Sequence, residues 1–224
     1  MERLAANLQT VLSAKGIELA HFLQENKISK VQDLTISTLE LFCYKEGIPL
    51  ENLVCYNLAF DRAKMPEIKL LILDVDGVLT NGGMYYTESG DQFKRYNTKD
   101  GMGIINLPKI GIQTGIISSS FKKQAVLDRA ELLKINHVYV GMEPKLEILK
   151  QWCKDLGIDL RNVAMIGDDI NDLEIMRNIG FTACPADAVP VVKKQVDVVL
   201  RTKGGNGCVR EMIDYYLLEK PLTR

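Results

Sequence analysis

Four apolar residues, Leu70 to Leu73, run without a polar break into Asp74-Val-Asp76-Gly77. A strand with one face in water would alternate apolar and polar side chains, so an unbroken apolar run reads as a strand buried on both faces, as in a parallel sheet. Residues i and i+2 of an extended chain share a face, which points Asp74 and Asp76 the same way from the carboxyl end of a core strand. Open α/β sheets bind their ligands at that end. Two carboxylates this close repel unless a cation or a shared proton offsets their charge. Gly77 permits a sharp turn directly after them, with its N–H groups turned inward. About 90 residues later the pattern returns, as Val163-Ala-Met-Ile-Gly167 leads into Asp168-Asp169-Ile-Asn171-Asp172. Two acid-tipped strands gather their carboxylates at one pole, which is costly without a cation, and hard oxygen donors suit Mg²⁺. N-capping of the following helix is the competing use for Asp169 and Asn171.

From Lys69 onward, strand-like and helix-like segments alternate, which predicts a doubly wound, Rossmann-like α/β fold with a parallel sheet. The exception is Gly82 to Tyr96, where Met84-Tyr-Tyr and Gln92-Phe-Lys-Arg-Tyr flank the turn-rich Glu88-Ser-Gly-Asp91. That pattern predicts a β-hairpin inserted after the first strand, with Tyr85, Tyr86, Phe93 and Tyr96 as an exposed aromatic surface. Asp100 is expected to cap the helix that follows. A strand over Ile112 to Ile117 ends in Ser118-Ser-Ser120, whose first hydroxyl can donate to an anion. Lys145 opens a helix, where its charge opposes the helix dipole. It is better placed there if it faces an anion.

Asp74-Val-Asp76-Gly77-Val-Leu-Thr80 resembles the nucleophile motif of the haloacid dehalogenase superfamily of phosphatases. Asn81-Gly-Gly-Met-Tyr-Tyr and Asn97-Thr-Lys-Asp100-Gly101 resemble one branch of it. That branch is the small tetrameric phosphatases of 2-keto-3-deoxy sugar acids, which act on 3-deoxy-manno-octulosonate 8-phosphate or nonulosonate 9-phosphates. The resemblance spans roughly residues 66 to 220. It implies a Mg²⁺-dependent phosphomonoesterase with Asp74 as nucleophile, Asp76 as acid and base, and Ser118 and Lys145 on the phosphate. The metal would be held by Asp74, Asp168 and the backbone carbonyl of Asp76, supported from behind by Asp169 and Asp172. Gly77, Asn97, Asp100, Gly101 and Arg129 would contact the substrate. No large insertion separates the core strands, so no cap domain is expected. The branch usually carries Thr-Gly and then Arg or Glu where Ser118-Ser-Ser120 stands, and often Arg where Asn206 stands, so this chain departs from it at specificity positions. The Gly204-Gly205-Asn206-Gly207 segment is expected to approach a ligand or a neighbouring subunit closely, and the tail from Leu217 to reach a neighbour's site.

Residues 1–60 read as a separate helical unit and 61–68 as a linker, with the phosphatase-like domain over 69–224. Leu4, Leu8, Val11 and Leu12 lie at helical spacing, Glu18 to Gln24 and Ser37 to Tyr44 give two further helices, and Gly47-Ile-Pro precedes a short closing one. Thr38 to Leu53 resembles the last two helices of the lambda-repressor-type helix-turn-helix family. Between Glu25 and Leu34, however, there is little room for a separate recognition helix. Residues 1–64 carry seven basic against eight acidic side chains, not the basic footprint of a nucleic-acid module. A protein partner fits this unit better than nucleic acid. The whole chain has a net charge of −1 and five cysteines without a C-x-x-C pair, which predicts reduced thiols in a cytoplasmic protein. No leader or membrane span is expected. The expected ligand is a small sugar acid phosphate, and the expected assembly a homotetramer. A non-catalytic scaffold, with the helices binding a partner and the core only oligomerising, is the alternative from a different class.

Overall fold

The computed structural model describes residues 2–48, 50–55, 65–119 and 123–218. The expectations for Asp61 to Lys64, for Ser120 and for the tail beyond Leu218 lie outside the described residues. The chain divides into two compact units, Met1–Ala63 and Lys64–Arg224.

In the smaller unit, α1 (Glu2–Ser13), α2 (Leu19–Glu25), α3 (Ile36–Glu46) and α4 (Leu50–Cys55) enclose one apolar core. Leu4, Leu8 and Leu12 line one stripe of α1 and meet Phe22, Leu39, Phe42 and Leu53, the i, i+4, i+8 pattern of a buried helix face. Phe22 and Phe42 meet edge to face at 5.1 Å, a geometry the ring quadrupoles favour. Thr35 caps α3 by accepting from the Thr38 N–H at 3.2 Å, and Gly47 ends it in the left-handed region at φ 66°. The segment between α2 and α3 holds a single 3₁₀ turn, Val31–Asp33.

The larger unit is built on six parallel strands: β1 (Leu70–Leu73), β4 (Gln113–Ser118), β5 (His137–Val140), β6 (Val163–Ile166), β7 (Phe181–Cys184) and β8 (Val198–Val199). Their order across the sheet is β5-β4-β1-β6-β7-β8. All four residues of β1 are fully buried, as an unbroken apolar strand between two helical layers requires. On one face Leu70, Ile72 and Met165 pack with Leu149 and Cys153 of α7 (Lys145–Leu156) and Ile175 of α8 (Leu173–Met176). The remaining helices are α5 (Thr98–Asn106), α6 (Gln124–Leu132), α9 (Pro190–Lys193) and α10 (Cys208–Met212). A two-stranded hairpin, β2 (Tyr85–Tyr86) with β3 (Gln92–Phe93), leaves the sheet after β1. Among the described residues it is the only extra element between the core strands, and no helix is long and apolar enough to cross a membrane. The chain leaves β1 for β4 on one side and later returns to β6 on the other. The carboxyl end of β1 is therefore the point where the strand order reverses, and a crevice opens there.

The expected acidic cap at Asp100 is corrected by the structure. Asn97 caps α5 by accepting from the Lys99 N–H at 2.8 Å. Asp100 lies inside the first turn and is 1% exposed, and its Oδ1 accepts from the Arg210 N–H at 2.7 Å. The physical reason is that α5 packs against α10, and the free N–H groups at the start of α10 take the buried carboxylate.

Candidate active site

Parallel register brings the functional side chains to one edge. Leu73 of β1 pairs with Ile116 of β4 and with Ile166 of β6, so Asp74, Ser118 and Asp168 all emerge where the three central strands end. A cleft of about 270 Å³ opens there, lined by Asp74, Asp76, Ser118, Ser119, Asp168, Asp169, Ile170 and Asn171.

Two glycines make this convergence possible. Gly77 sits at φ +93°, and a Cβ on it would lie 2.0 Å from Asp168 Oδ2. A Cβ on Gly167 would lie 2.4 Å from Asp172 Oδ2. The loop after β1 thus closes on the loop after β6 only because Gly77 has no side chain, and Asp172 folds back within its own loop only because Gly167 has none. A third loop braces the first: the Gly205 N–H donates to Val78 O at 2.8 Å, and a Cβ on Gly204 would meet Gly77 O at 1.9 Å. The close approach expected of the Gly204–Gly207 segment is made to the turn after β1.

Lys145 is 6% exposed, between Asp74 at 5% and Asp172 at 0%. Its Nζ donates to Asp74 Oδ1 at 2.6 Å and to Asp172 Oδ1 at 2.7 Å. Asp172 Oδ2 accepts from the Asp168 N–H at 3.0 Å, so both Asp172 oxygens are engaged. Burial alone would weaken the hold of Lys145 on its proton, but the charges of Asp74 and then Asp172 reverse that and raise it. Burial, followed by repulsion from Asp172, pushes the Asp74 carboxyl up. Burial, with Asp172 and then Asp169, pushes Asp168 up to about 7. One ammonium does not balance these acids.

Oxygens of Asp74, Asp168 and Asp172 lie within 4.8 Å of one another. A crowd of hard oxygen donors short of positive charge fits Mg²⁺. Because Asp172 is committed to Lys145 and to the backbone, Asp74 and Asp168 are the side chains with oxygens to offer. Asp169 is exposed and caps the Ile170–Asp172 turn, accepting from the Ile170 N–H at 2.7 Å.

Asn97, Asp100, Gly101 and Arg129 form a separate group and do not line the cleft. Arg129 Nη2 donates to Asn97 O at 3.2 Å, and a Cβ on Gly101 would lie 2.7 Å from that nitrogen. The guanidinium also sits 5.2 Å from the centre of the Tyr96 ring. One residue escaped sequence reasoning. Lys94, just past β3, donates from Nζ to Asp76 Oδ1 at 2.5 Å. No sequence signal marks Lys94. The returning strand turns Gln92, Lys94 and Tyr96 inward and leaves Phe93 exposed. The expectation of an exposed Tyr96 is thereby corrected, its ring being half-buried because its hydroxyl reaches Ala125 O.

Residues 118–212 match the model of a family described as haloacid dehalogenase-like hydrolase. The chain is 40% identical over 156 residues to the Escherichia coli K12 3-deoxy-D-manno-octulosonate 8-phosphate phosphatase KdsC, covering 70% of this chain and 82% of that protein. It is 37% identical over 166 residues to KdsC of Yersinia pestis, covering 73% and 88%. Among solved structures, the Yersinia pestis 3-deoxy-D-manno-octulosonate 8-phosphate phosphatase superposes with a TM-score of 0.66 at 37% identity, covering 70% of this chain and 84% of that one. The Moraxella catarrhalis 3-deoxy-D-manno-octulosonate 8-phosphate phosphatase, solved with a magnesium ion, a phosphate ion and a KDO molecule, gives 0.66 at 35% identity, covering 70% and 89%.

Proposed function

Because this chain belongs to the haloacid dehalogenase-like hydrolases, we propose that it is the Mg²⁺-dependent phosphatase of 3-deoxy-D-manno-octulosonate 8-phosphate. The observation that carries this reading is the buried Asp74–Lys145–Asp172 chain, which holds one carboxylate at the head of the cleft beside Asp168.

Lys145 engages Asp74 Oδ1, which leaves the other oxygen to attack phosphorus in line. The carboxylate forms the new O–P bond, the bond to the sugar oxygen breaks, and an aspartyl-phosphate results. Asp76 gives its proton to the departing sugar oxygen. It then takes a proton from the water that attacks the aspartyl-phosphate, which releases inorganic phosphate and restores Asp74. In this reading Ser118, which lines the cleft, and the N–H groups beside Gly77 would donate to phosphoryl oxygens, and Lys145 would add a fixed positive charge. Asp74 and Asp168, with the main-chain carbonyl of Asp76, would hold Mg²⁺, which would supply the positive charge that lets two anions meet.

The same reading extends to a homotetramer in the cytoplasm. Met84, Tyr86 and Phe93 of the hairpin are 67%, 59% and 54% exposed, an apolar surface suited to a second copy of the chain. Buried thiols at Cys43, Cys153, Cys184 and Cys208 support a reducing compartment. The exposed Ile36, Leu41 and Tyr44 of α3 support a protein partner for the smaller unit.

Phosphate release from 3-deoxy-D-manno-octulosonate 8-phosphate, a nonulosonate 9-phosphate and p-nitrophenyl phosphate, with and without Mg²⁺, tests the assignment. Turnover of the first that requires the metal and vanishes in Asp74→Asn is the expected result. Preference for the nonulosonate would overturn the substrate, and no turnover by folded, metal-loaded protein would overturn the enzyme and favour a scaffold.

A further inference from the structure

The acid–base carboxylate is gripped by a side chain from outside the sheet. Along the returning hairpin strand, Phe93 and Arg95 are exposed while Gln92, Lys94 and Tyr96 turn inward. Tyr96 anchors this strand on the larger unit, its hydroxyl donating to Ala125 O at 3.1 Å and its ring lying under Arg129. Lys94, two residues earlier on the same face, is thereby carried to Asp76. Its side chain is 4% exposed, against 44% for that of Asp76. Thr80 Oγ1 approaches the same oxygen, Asp76 Oδ1, at 3.4 Å. A lysine buried this deeply has given up rotamer freedom and ammonium hydration, unlike the loose, solvated partner of an exposed ion pair.

We propose that Lys94 is a positioning residue for the acid–base group, holding Asp76 Oδ1 so that Oδ2 stays directed at the oxygen of the departing alcohol. The proposal rests on the phosphatase reading. It ties the reach of Asp76 to the seating of the hairpin, because Lys94 is carried on that element. It also has a signature that a merely structural role lacks. A weakly acidic alcohol needs the Asp76 proton as its bond to phosphorus breaks, whereas p-nitrophenolate departs without it. Loss of Lys94 should therefore be felt in proportion to how poor the leaving group is.

The experiment uses the full-length, Mg²⁺-loaded protein and compares kcat/KM for 3-deoxy-D-manno-octulosonate 8-phosphate, phenyl phosphate and p-nitrophenyl phosphate. Lys94→Met is expected to lose about 10- to 100-fold on the first two and less than about threefold on the third, a fraction of what general acid catalysis contributes. Lys94→Arg, which keeps the charge and a donor, is expected to recover most of the loss. Equal losses on all three esters, a rise in KM with kcat intact, or no loss would overturn the proposal. If Lys94→Met melts below the assay temperature, Lys94→Gln is read by the same comparison. A wild-type protein that hydrolyses both aryl esters but not the sugar ester would sink the substrate assignment alone, because phenyl against p-nitrophenyl phosphate still reads the role of Lys94.

Discussion

Gly77→Ala asks whether the two acidic loops close on each other as tightly as the geometry states. The methyl group has two costs. At φ +93° an L side chain costs about 1–2 kcal/mol of backbone strain. The Cβ also lands 2.0 Å from Asp168 Oδ2, so the carboxylate must retreat by more than an ångström. The Asp168 N–H is tied to Asp172, which resists that movement, and overpacking of this kind costs about 1–3 kcal/mol. The total of about 2–5 kcal/mol should lower the melting temperature of the larger unit by about 5–15 °C. Mg²⁺ affinity, measured by calorimetry, should fall by about tenfold or more, as it does when a ligand is mis-set. Gly157→Ala is the control, since it has φ +64° but nothing within 4 Å of its Cβ. It should carry the backbone cost alone and leave Mg²⁺ binding unchanged. A Gly77→Ala protein that melts with wild type and binds Mg²⁺ equally well would refute the idea that Asp168 occupies the space of the missing side chain.

Lys145→Met leaves Asp74 and Asp172 buried without their shared cation, so the metal-free protein should lose about 3–5 kcal/mol. Added Mg²⁺ should recover part of this in thermal melts, and unchanged melts would contradict the bridging role. The pH dependence of the metal-free protein follows from Asp168. Its folded value near 7 lies above the ordinary ~3.9 of an unfolded aspartate, so the folded state binds more protons. Its contribution to stability is full below about pH 4 and is lost as pH rises through about 7. Denaturation of metal-free protein should thus become progressively easier from about pH 4 to about pH 7 and change little from this group above that. Mg²⁺ should flatten that slope, and a metal-free slope of the opposite sign would rule this out. Gly204→Ala puts a Cβ 1.9 Å from Gly77 O. It should lower both melting temperature and activity, and full activity would show that the third loop does not brace the turn after β1.

Much of this molecule was legible in the chain because the signals are local. An apolar tetrad cannot face water, so β1 and its two terminal carboxylates follow from Leu70 to Gly77 alone. The second acid cluster reads the same way from Val163 to Asp172, and the turn residues Glu88 to Asp91 mark the hairpin. The α1 stripe of Leu4, Leu8 and Leu12 likewise announces the small helical core. That Asp74 and Asp168 share one pole was expected from the two acid-tipped strands, and Ser118 and Lys145 were placed with them through the family resemblance. The register and packing that bring distant segments together were not legible. Only the sheet order, with β1 between β4 and β6, places Ser118 and Asp168 beside Asp74. Only the packing of α5 on α10 turns Asp100 from the expected cap of its own helix into the acceptor for Arg210. Lys94 shows the same limit. The sequence determined only that Lys94 lies on the returning arm of the hairpin; that the polar Gln92 and Lys94 turn inward while Phe93 faces out is a feature of the folded structure. That it meets Asp76, eighteen residues earlier, was decided by how the hairpin folds back on the larger unit, because the energy of that contact belongs to neither segment alone.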